Sequence, residues 1–189
     1  MIEKVIEIIQ PRLLHLKRNK LLAKIPEEQR EKISYLLENQ KIGRESIGKQ
    51  PNGRQEYSNC YGATIYNFEN EEIRRRCQDI SEEIGENSLG YIQYIKSDKG
   101  PSFIGSISFI QILEEFFEKV DEPVEGNVIS LWPLYSRNGR YPVHAGIWTG
   151  IDETFFEQRN IRGRFQFNYL DNKKRKKLDI EFHKLRRKL

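Results

Sequence analysis

The sequence predicts an α+β fold in which helices precede a small antiparallel sheet. In the first part of the chain, apolar residues recur at helical spacing, as they do after Ser106. After about residue 127 the pattern changes to short β-branched or aromatic segments that Gly, Asn or Asp separates. Helices followed by strands that pair with their sequence neighbours are typical of α+β domains.

The chain divides into three sections by its charge and its apolar pattern. Residues 1–50 are predicted to form a helical N-terminal extension, in which Pro26 opens the second helix. Residues 51–172 form the predicted body of the protein. Residues 173–189 are predicted to form a basic C-terminal helix, because Leu178, Phe182 and Leu185 lie at positions i, i+4 and i+7. His183 is expected to be exposed on that helix.

Within the body, the pattern predicts helices and strands at definite places. The predicted helices begin near Cys60, run from Glu71 to Ile84, and follow Ser106. The predicted strands are 91–96, 128–131, 143–148, 154–158 and 164–169.

Length and composition limit the class of protein. The 189 residues suit one domain with an extension. No apolar run approaches the roughly 20 residues that span a bilayer, and the first ten residues lack the pattern of a signal peptide. We therefore expect no transmembrane segment, and a cytoplasmic protein or one exported without a cleavable signal peptide.

The charge distribution and the cysteine content limit the partners and cofactors that we expect. The net charge is +4, but residues 173–189 carry +7 and the rest of the chain −3. The segment from Lys173 to Leu189 therefore has two interpretations, a site for a weak anionic partner, either nucleic acid or lipid, and, as the plainer one, a solvated terminal helix. With two cysteines, no CxxC pair and no His/Cys cluster, we expect no disulfide framework, no metal and no other cofactor.

Cys60 is the candidate nucleophile. Asn59 is a suitable N-cap, which would place Cys60 in the first turn of a helix, where the positive end of the helix dipole favours a thiolate. Gly62 and Ala63 are small and allow close packing or leave room for a substrate. The alternative is a buried, inert cysteine. Cys77 follows three arginines inside a predicted helix and is expected to lie beside a solvated basic face.

Two later segments favour the catalytic interpretation. Residues 123–129 (PVEGNVI) form a turn that leads into a strand, and residues 144–150 (HAGIWTG) form a strand that begins with His144. Gly146 would let another backbone or a substrate approach the sheet.

Together these segments resemble the signature order of NlpC-type cysteine peptidases, which belong to the papain-like superfamily. The matches are Cys60-Tyr61-Gly62, Pro123 to Val128, and His144 to Gly150, and the resemblance covers roughly residues 55–170. It implies a papain-like core, in which a helix that carries the Cys packs on a small antiparallel sheet that carries the His, with added N- and C-terminal helices. The family usually has Asp before the Cys, Ser after it and Gly-Asp in the turn, where this chain has Asn59, Tyr61 and Asn127.

The resemblance also implies a third polar residue on the next strand, which would orient the histidine. Glu157 falls nearest the expected position. Gln158 is the alternative, because a shift of one residue in register would turn it inward instead.

The implied activity is hydrolysis of an amide bond through an acyl-enzyme on Cys60, with His144 as general base. The implied substrate is a cell-wall peptide or another short peptide. The Cys60 backbone N–H and a donor at Gln55 or Tyr57 would hold the oxyanion. The alternative function is a catalytically degenerate papain-like binding module, which would engage a protein or nucleic acid through the helical extension and the basic tail.

Overall fold

The computed structural model describes residues 17–68, 71–85, 92–134, 141–159, 161–170 and 177–186. Its α-helices are α1 (residues 17–22 of the described part), α2 (Glu27–Glu38), α3 (Cys60–Tyr66), α4 (Glu71–Ile84) and α5 (Ser106–Phe116). A single 3₁₀ turn covers Ile42–Arg44. Pro26 is the N-cap of α2, one position earlier than predicted, and residues 1–16 of the predicted extension lie outside the described residues.

Ten strands form three sheets in the described residues. Two are small ribbons, β1 (Gly48–Lys49) with β2 (Gln55–Glu56), and β3 (Tyr94–Ile95) with β4 (Phe103–Ile104). The main sheet has six antiparallel strands in the order β5-β10-β6-β7-β8-β9. Its members are β5 (Phe117–Val120), β6 (Val128–Pro133), β7 (His144–Trp148), β8 (Thr154–Gln158), β9 (Phe165–Tyr169) and β10 (Leu178–Leu185).

The main sheet carries helices on one face. Ala145 and Ile147 of β7 belong to the two larger apolar clusters, which also contain Ala63 and Ile65 of α3 and Phe109 of α5. The alternate residues of the sheet form a smaller cluster on the other face: Ile129, Leu131, Trp148, Phe155, Leu178, Ile180 and Phe182. The α+β class is therefore confirmed, with α3 packed directly on β7 and β8.

The predicted C-terminal helix is wrong for the residues that the structure describes. Residues 178–185 form β10, which lies between β5 and β6 and pairs with both. The physical reason is an alternation of period two, because Leu178, Ile180 and Phe182 all point to the smaller cluster while the intervening polar residues face the other side. His183 is consequently buried, with 7% of its surface exposed, whereas the helix would have exposed it.

The described helices include none that is long and apolar enough to cross a membrane.

Candidate active site

Asn59 fixes the start of the helix that carries Cys60. Its side-chain Oδ1 accepts a hydrogen bond from the N–H of Gly62 (2.9 Å), as an N-cap does. Its amide Nδ2 also donates to the carbonyl of Ile104 (2.7 Å), and so ties α3 to β4. An aspartate could provide the cap but not this second bond, so the asparagine has a structural role here.

Gly62 lies where the backbone of Ser102 passes close to α3. A Cβ at this position would overlap the carbonyl oxygen of Ser102. The glycine two residues after Cys60 is therefore required by a close backbone approach, and the first turn of α3 is held between Asn59 and the segment before β4.

Tyr61 connects the cysteine helix to the beginning of β7. Its hydroxyl donates a hydrogen bond to the carbonyl of Pro142, two residues before His144. Its ring stacks on Phe109 with centroids 4.5 Å apart. Burial raises the pKa of the Tyr61 hydroxyl, and the neighbouring Cys60 adds to the effect, so the hydroxyl remains a donor. Tyr61 therefore connects α3, which carries Cys60, to the start of β7, which carries His144.

His144 is the first residue of β7, and its side chain contacts both Cys60 and Glu157. The ring lies close enough to Cys60 for that thiol to raise the pKa of His144, and its Nε2 lies 2.5 Å from Oε2 of Glu157. Since Nε2 faces the carboxylate, Nδ1 is the ring nitrogen left for the thiol. Phe155 lies edge-on to the ring at 6.2 Å between centroids.

Gly146 provides space on β7 for the side chain of Phe155. A Cβ there would meet the backbone of Phe156 and lie 2.7 Å from the Phe155 ring. The glycine after His144 thus lets Phe155 pack across β7.

Glu157 is itself held by amides from the next strand. Its Oε1 accepts hydrogen bonds from Asn168 (2.8 Å) and Gln166 (3.1 Å) of β9, and only 3% of its side chain is exposed. Two donors on one oxygen and the imidazole on the other occupy the carboxylate and fix its plane. The Cys–His–Glu arrangement thus has a support that spans three adjacent strands.

The electrostatics of the pair favour a charged ring and a charged carboxylate. Burial lowers the pKa of His144, but the hydrogen bonds and charges of Cys60 and Glu157 outweigh it and raise the pKa to about 9. Burial likewise opposes ionisation of Glu157, yet the bond and charge of His144 and the two amides keep the pKa of Glu157 below its usual range. At neutral pH the site therefore contains an imidazolium against a carboxylate.

Gln158 lies away from this cluster. Its amide donates to the carbonyl of Ser58 (3.1 Å), and its side chain is buried on the helical side of β8. Glu157, not Gln158, is therefore the residue that contacts His144. Cys77 is 1% exposed within the core, so the predicted basic, solvated surroundings are wrong for its thiol.

The turn from Val124 to Asn127 holds the other end of β7. The Asn127 side chain accepts a hydrogen bond from the N–H of Val124 (2.9 Å), and its backbone carbonyl accepts one from Trp148 (2.8 Å). Gly126 has φ +85°, which favours glycine. Asn127 thus makes the side-chain bond that an aspartate would make in this turn.

Gln166, Asn168 and the structural role of Tyr61 were not predicted from the sequence. The two amides alternate with Phe165 and Phe167, which is the pattern of one polar and one apolar face on a strand. This alternation, in the strand that follows Glu157, was the sequence pattern that indicated two polar side chains on one face of β9.

Comparison with protein-family models matches no family, and comparison with curated proteins finds no significant relative.

Proposed function

We propose that this chain is a cysteine hydrolase of the papain-like type, similar to NlpC-type peptidases, and that it cleaves an amide bond in a peptide or isopeptide. One observation carries the proposal: Nε2 of His144 is hydrogen-bonded to the buried carboxylate of Glu157, and the same ring lies close enough to Cys60 for that thiol to raise the pKa of His144. A thiol, a base and a group that orients the base are what nucleophilic acyl transfer requires.

The proposed reaction has two steps. The Cys60 thiolate attacks the carbonyl carbon, and His144 transfers its proton to the leaving amine as the C–N bond breaks. His144 then accepts a proton from water, the resulting hydroxide attacks the acyl-enzyme, and the C–S bond breaks to restore the thiolate. Glu157 stays ionised throughout and stabilises the charged ring.

The oxyanion of each tetrahedral intermediate needs two donors. The backbone N–H of Cys60 is one, since the first N–H groups of a helix have no partner within it. For the second, the Tyr57 hydroxyl donates its only hydrogen to Oε1 of Gln55 (3.0 Å). Gln55 therefore retains amide hydrogens to donate, and we assign it the role.

The binding-module alternative has less support. It depended in part on a free basic helix at residues 173–189, whereas residues 178–185 form an interior strand. A degenerate site also gives no reason for burying Glu157 with three hydrogen-bond donors directed at it.

Alkylation of single-thiol variants tests the nucleophile. Iodoacetamide should modify Cys77→Ala, which retains Cys60, and should leave folded Cys60→Ala unmodified, because Cys77 is buried. Denaturant should make Cys77 reactive, which shows that the reagent can label it. Equal labelling of both folded variants would count against the assignment.

Acyl transfer is tested separately with p-nitrophenyl acetate. Wild type and Cys77→Ala should release p-nitrophenol and show an acetyl adduct on Cys60 by mass spectrometry. Cys60→Ala and His144→Ala should do neither. Rapid alkylation without any acyl transfer would support a reactive thiol but contradict a hydrolase.

A further inference from the structure

A basic pocket lies at the edge of the main sheet, beside the support of the candidate triad. Its volume is about 530 Å³. It is lined by Gln40, Lys41, Arg44, Arg164, Phe165 and Gln166. Gln166 also donates to Glu157, so one side chain separates this pocket from the carboxylate that holds His144.

The cations of the pocket come from two distant parts of the chain. Lys41 and Arg44 belong to the 3₁₀ turn and its N-cap, whereas Arg164 ends the turn between β8 and β9. Within the described residues, none of the three has a carboxylate partner. By contrast, Arg76 pairs with both Glu83 and Glu115.

Three like charges around one concavity repel each other, and an anion between them would relieve that repulsion. Arginine guanidinium groups present paired N–H donors that match the oxygens of carboxylate or phosphate. Gln166 adds a neutral amide to the lining, whereas both amide hydrogens of Gln40 are used by the carbonyls of Leu37 and Phe165. The pocket therefore combines charge with directional donors.

Hydrogen bonds and a close backbone approach hold the framework of the pocket together. Nε2 of Gln40 donates to the carbonyl of Phe165 (2.8 Å), and Oε1 of Gln40 accepts from the N–H of Phe165 (3.0 Å). These two bonds satisfy the backbone N–H and carbonyl of Phe165 on the outer edge of β9. A Cβ on Gly43 would lie 2.7 Å from the carbonyl of Gly163, so the two cation-bearing segments touch through their backbones.

We propose that this basic pocket binds a ligand through an oxyanion group, either phosphate or carboxylate. The inference rests on Lys41, Arg44 and Arg164 and holds whether or not the chain hydrolyses amides. A small multivalent anion suits the pocket better than a long polyanion, because Lys41, Arg44 and Arg164 line a single cavity together with the amide of Gln166.

Calorimetric titration of the full chain at low ionic strength tests the proposal, with inorganic pyrophosphate and citrate as separate probes. At least one should bind saturably, and the stronger of the two identifies phosphate or carboxylate as the preferred group. Arg44→Gln and Arg164→Gln should each weaken that binding by about tenfold or more. Arg75→Gln, which removes an exposed arginine paired with Glu71 on α4, should leave it unchanged.

Two results would overturn the proposal. One is the absence of saturable binding by either probe, with circular dichroism showing that the protein is folded. The other is equal affinity in Arg44→Gln, Arg164→Gln and wild type. A single-stranded oligonucleotide provides a third arm, and tighter binding of it that persists in both variants would assign the affinity to a diffuse basic surface. Lys41→Gln, at an exposed position, replaces either arginine variant that fails to fold.

Discussion

Nε2 of His144 and Oε2 of Glu157 lie 2.5 Å apart, and the other oxygen of the same carboxylate accepts hydrogen bonds from Gln166 and Asn168. Glu157 thus fixes the orientation of the His144 ring, and Gln166 and Asn168 in turn fix the Glu157 carboxylate. Because β7, β8 and β9 each contribute, the orientation of the ring depends on the register of three strands.

Replacing Glu157 by Gln removes the negative charge but retains the shape of the side chain. The His144 pKa should fall because the bond and charge of Glu157 help to raise it. The rate of Cys60 alkylation at neutral pH should decrease by about tenfold or more, since less of the ring is protonated to pair with a thiolate. Glu118→Gln, at an exposed position of β5, should alkylate at the wild-type rate. An unchanged rate in Glu157→Gln would show that the carboxylate does not tune the site.

The two described histidines should titrate on opposite sides of the ordinary value of 6.5. Nuclear magnetic resonance of labelled histidine rings should give His144 a midpoint near pH 9. Burial lowers the pKa of His183, and this effect and Lys119 outweigh the charge of Glu181, so His183 should be neutral at pH 7. A His144 midpoint below 6.5 would contradict the proposed ion pair.

The same His144 shift makes stability depend on pH. Because the folded pKa lies above the unfolded one, its stabilising contribution is complete below about pH 6.5 and is lost as pH rises through about 9. His144→Gln should remove this part of the pH dependence in urea unfolding, and a slope that survives the substitution would assign it to other groups.

Tyr61→Phe removes one hydroxyl and retains the ring that stacks on Phe109. The carbonyl of Pro142 then loses its donor, so the free energy of unfolding should fall by about 1–3 kcal/mol. Alkylation of Cys60 should also slow, because α3 and the start of β7 lose a direct connection. Tyr35→Phe is the matched control: its hydroxyl also donates to a backbone carbonyl, that of Lys99, but at an exposed position. Equal effects of the two variants would deny Tyr61 a specific role.

Gly62→Ala should destabilise the fold by about 3 kcal/mol, because its Cβ would overlap the backbone of Ser102. Urea unfolding measures the difference. Gly48→Ala provides a comparison, since its Cβ would meet only a methyl group of Ile95 at 2.7 Å, which can move aside. A loss no greater than that of Gly48→Ala would indicate that the two backbones separate easily.

Four of the six strands in the main sheet were predictable because each has its own local pattern. Thr154–Gln158 has the bounds that the sequence predicts, and β6, β7 and β9 differ from theirs by one or two residues. β5 escaped prediction because Phe117 follows α5 with no Gly or Pro between them. β10 was mistaken for a helix because Leu178 and Phe182 fit a helical spacing as well as a strand spacing.

The candidate site was predictable only where residues stand in a recognisable order. Cys60, His144 and Glu157, with Gln158 as the alternative to Glu157, were predicted from the resemblance of three ordered motifs to NlpC-type peptidases. Gln166 and Asn168 depend on which residues of β9 lie opposite Glu157 and Phe155, and this register is a property of the assembled sheet. For the same reason, the sequence could not predict that Gln166 both contacts Glu157 of the candidate triad and lines the basic pocket.

The position of β10 sets an order for assembling the sheet. The strands β6 to β9 pair with their neighbours along the chain, whereas β10 must return past β7, β8 and β9 to lie beside β6. Closing that long loop costs entropy that the short turns avoid. β5 joins the main sheet only through β10, so it has no edge to bind until β10 has arrived. We therefore expect the meander of β6 to β9 to form first during folding. Amide protons of β5 should then be protected from exchange no better than those of β10.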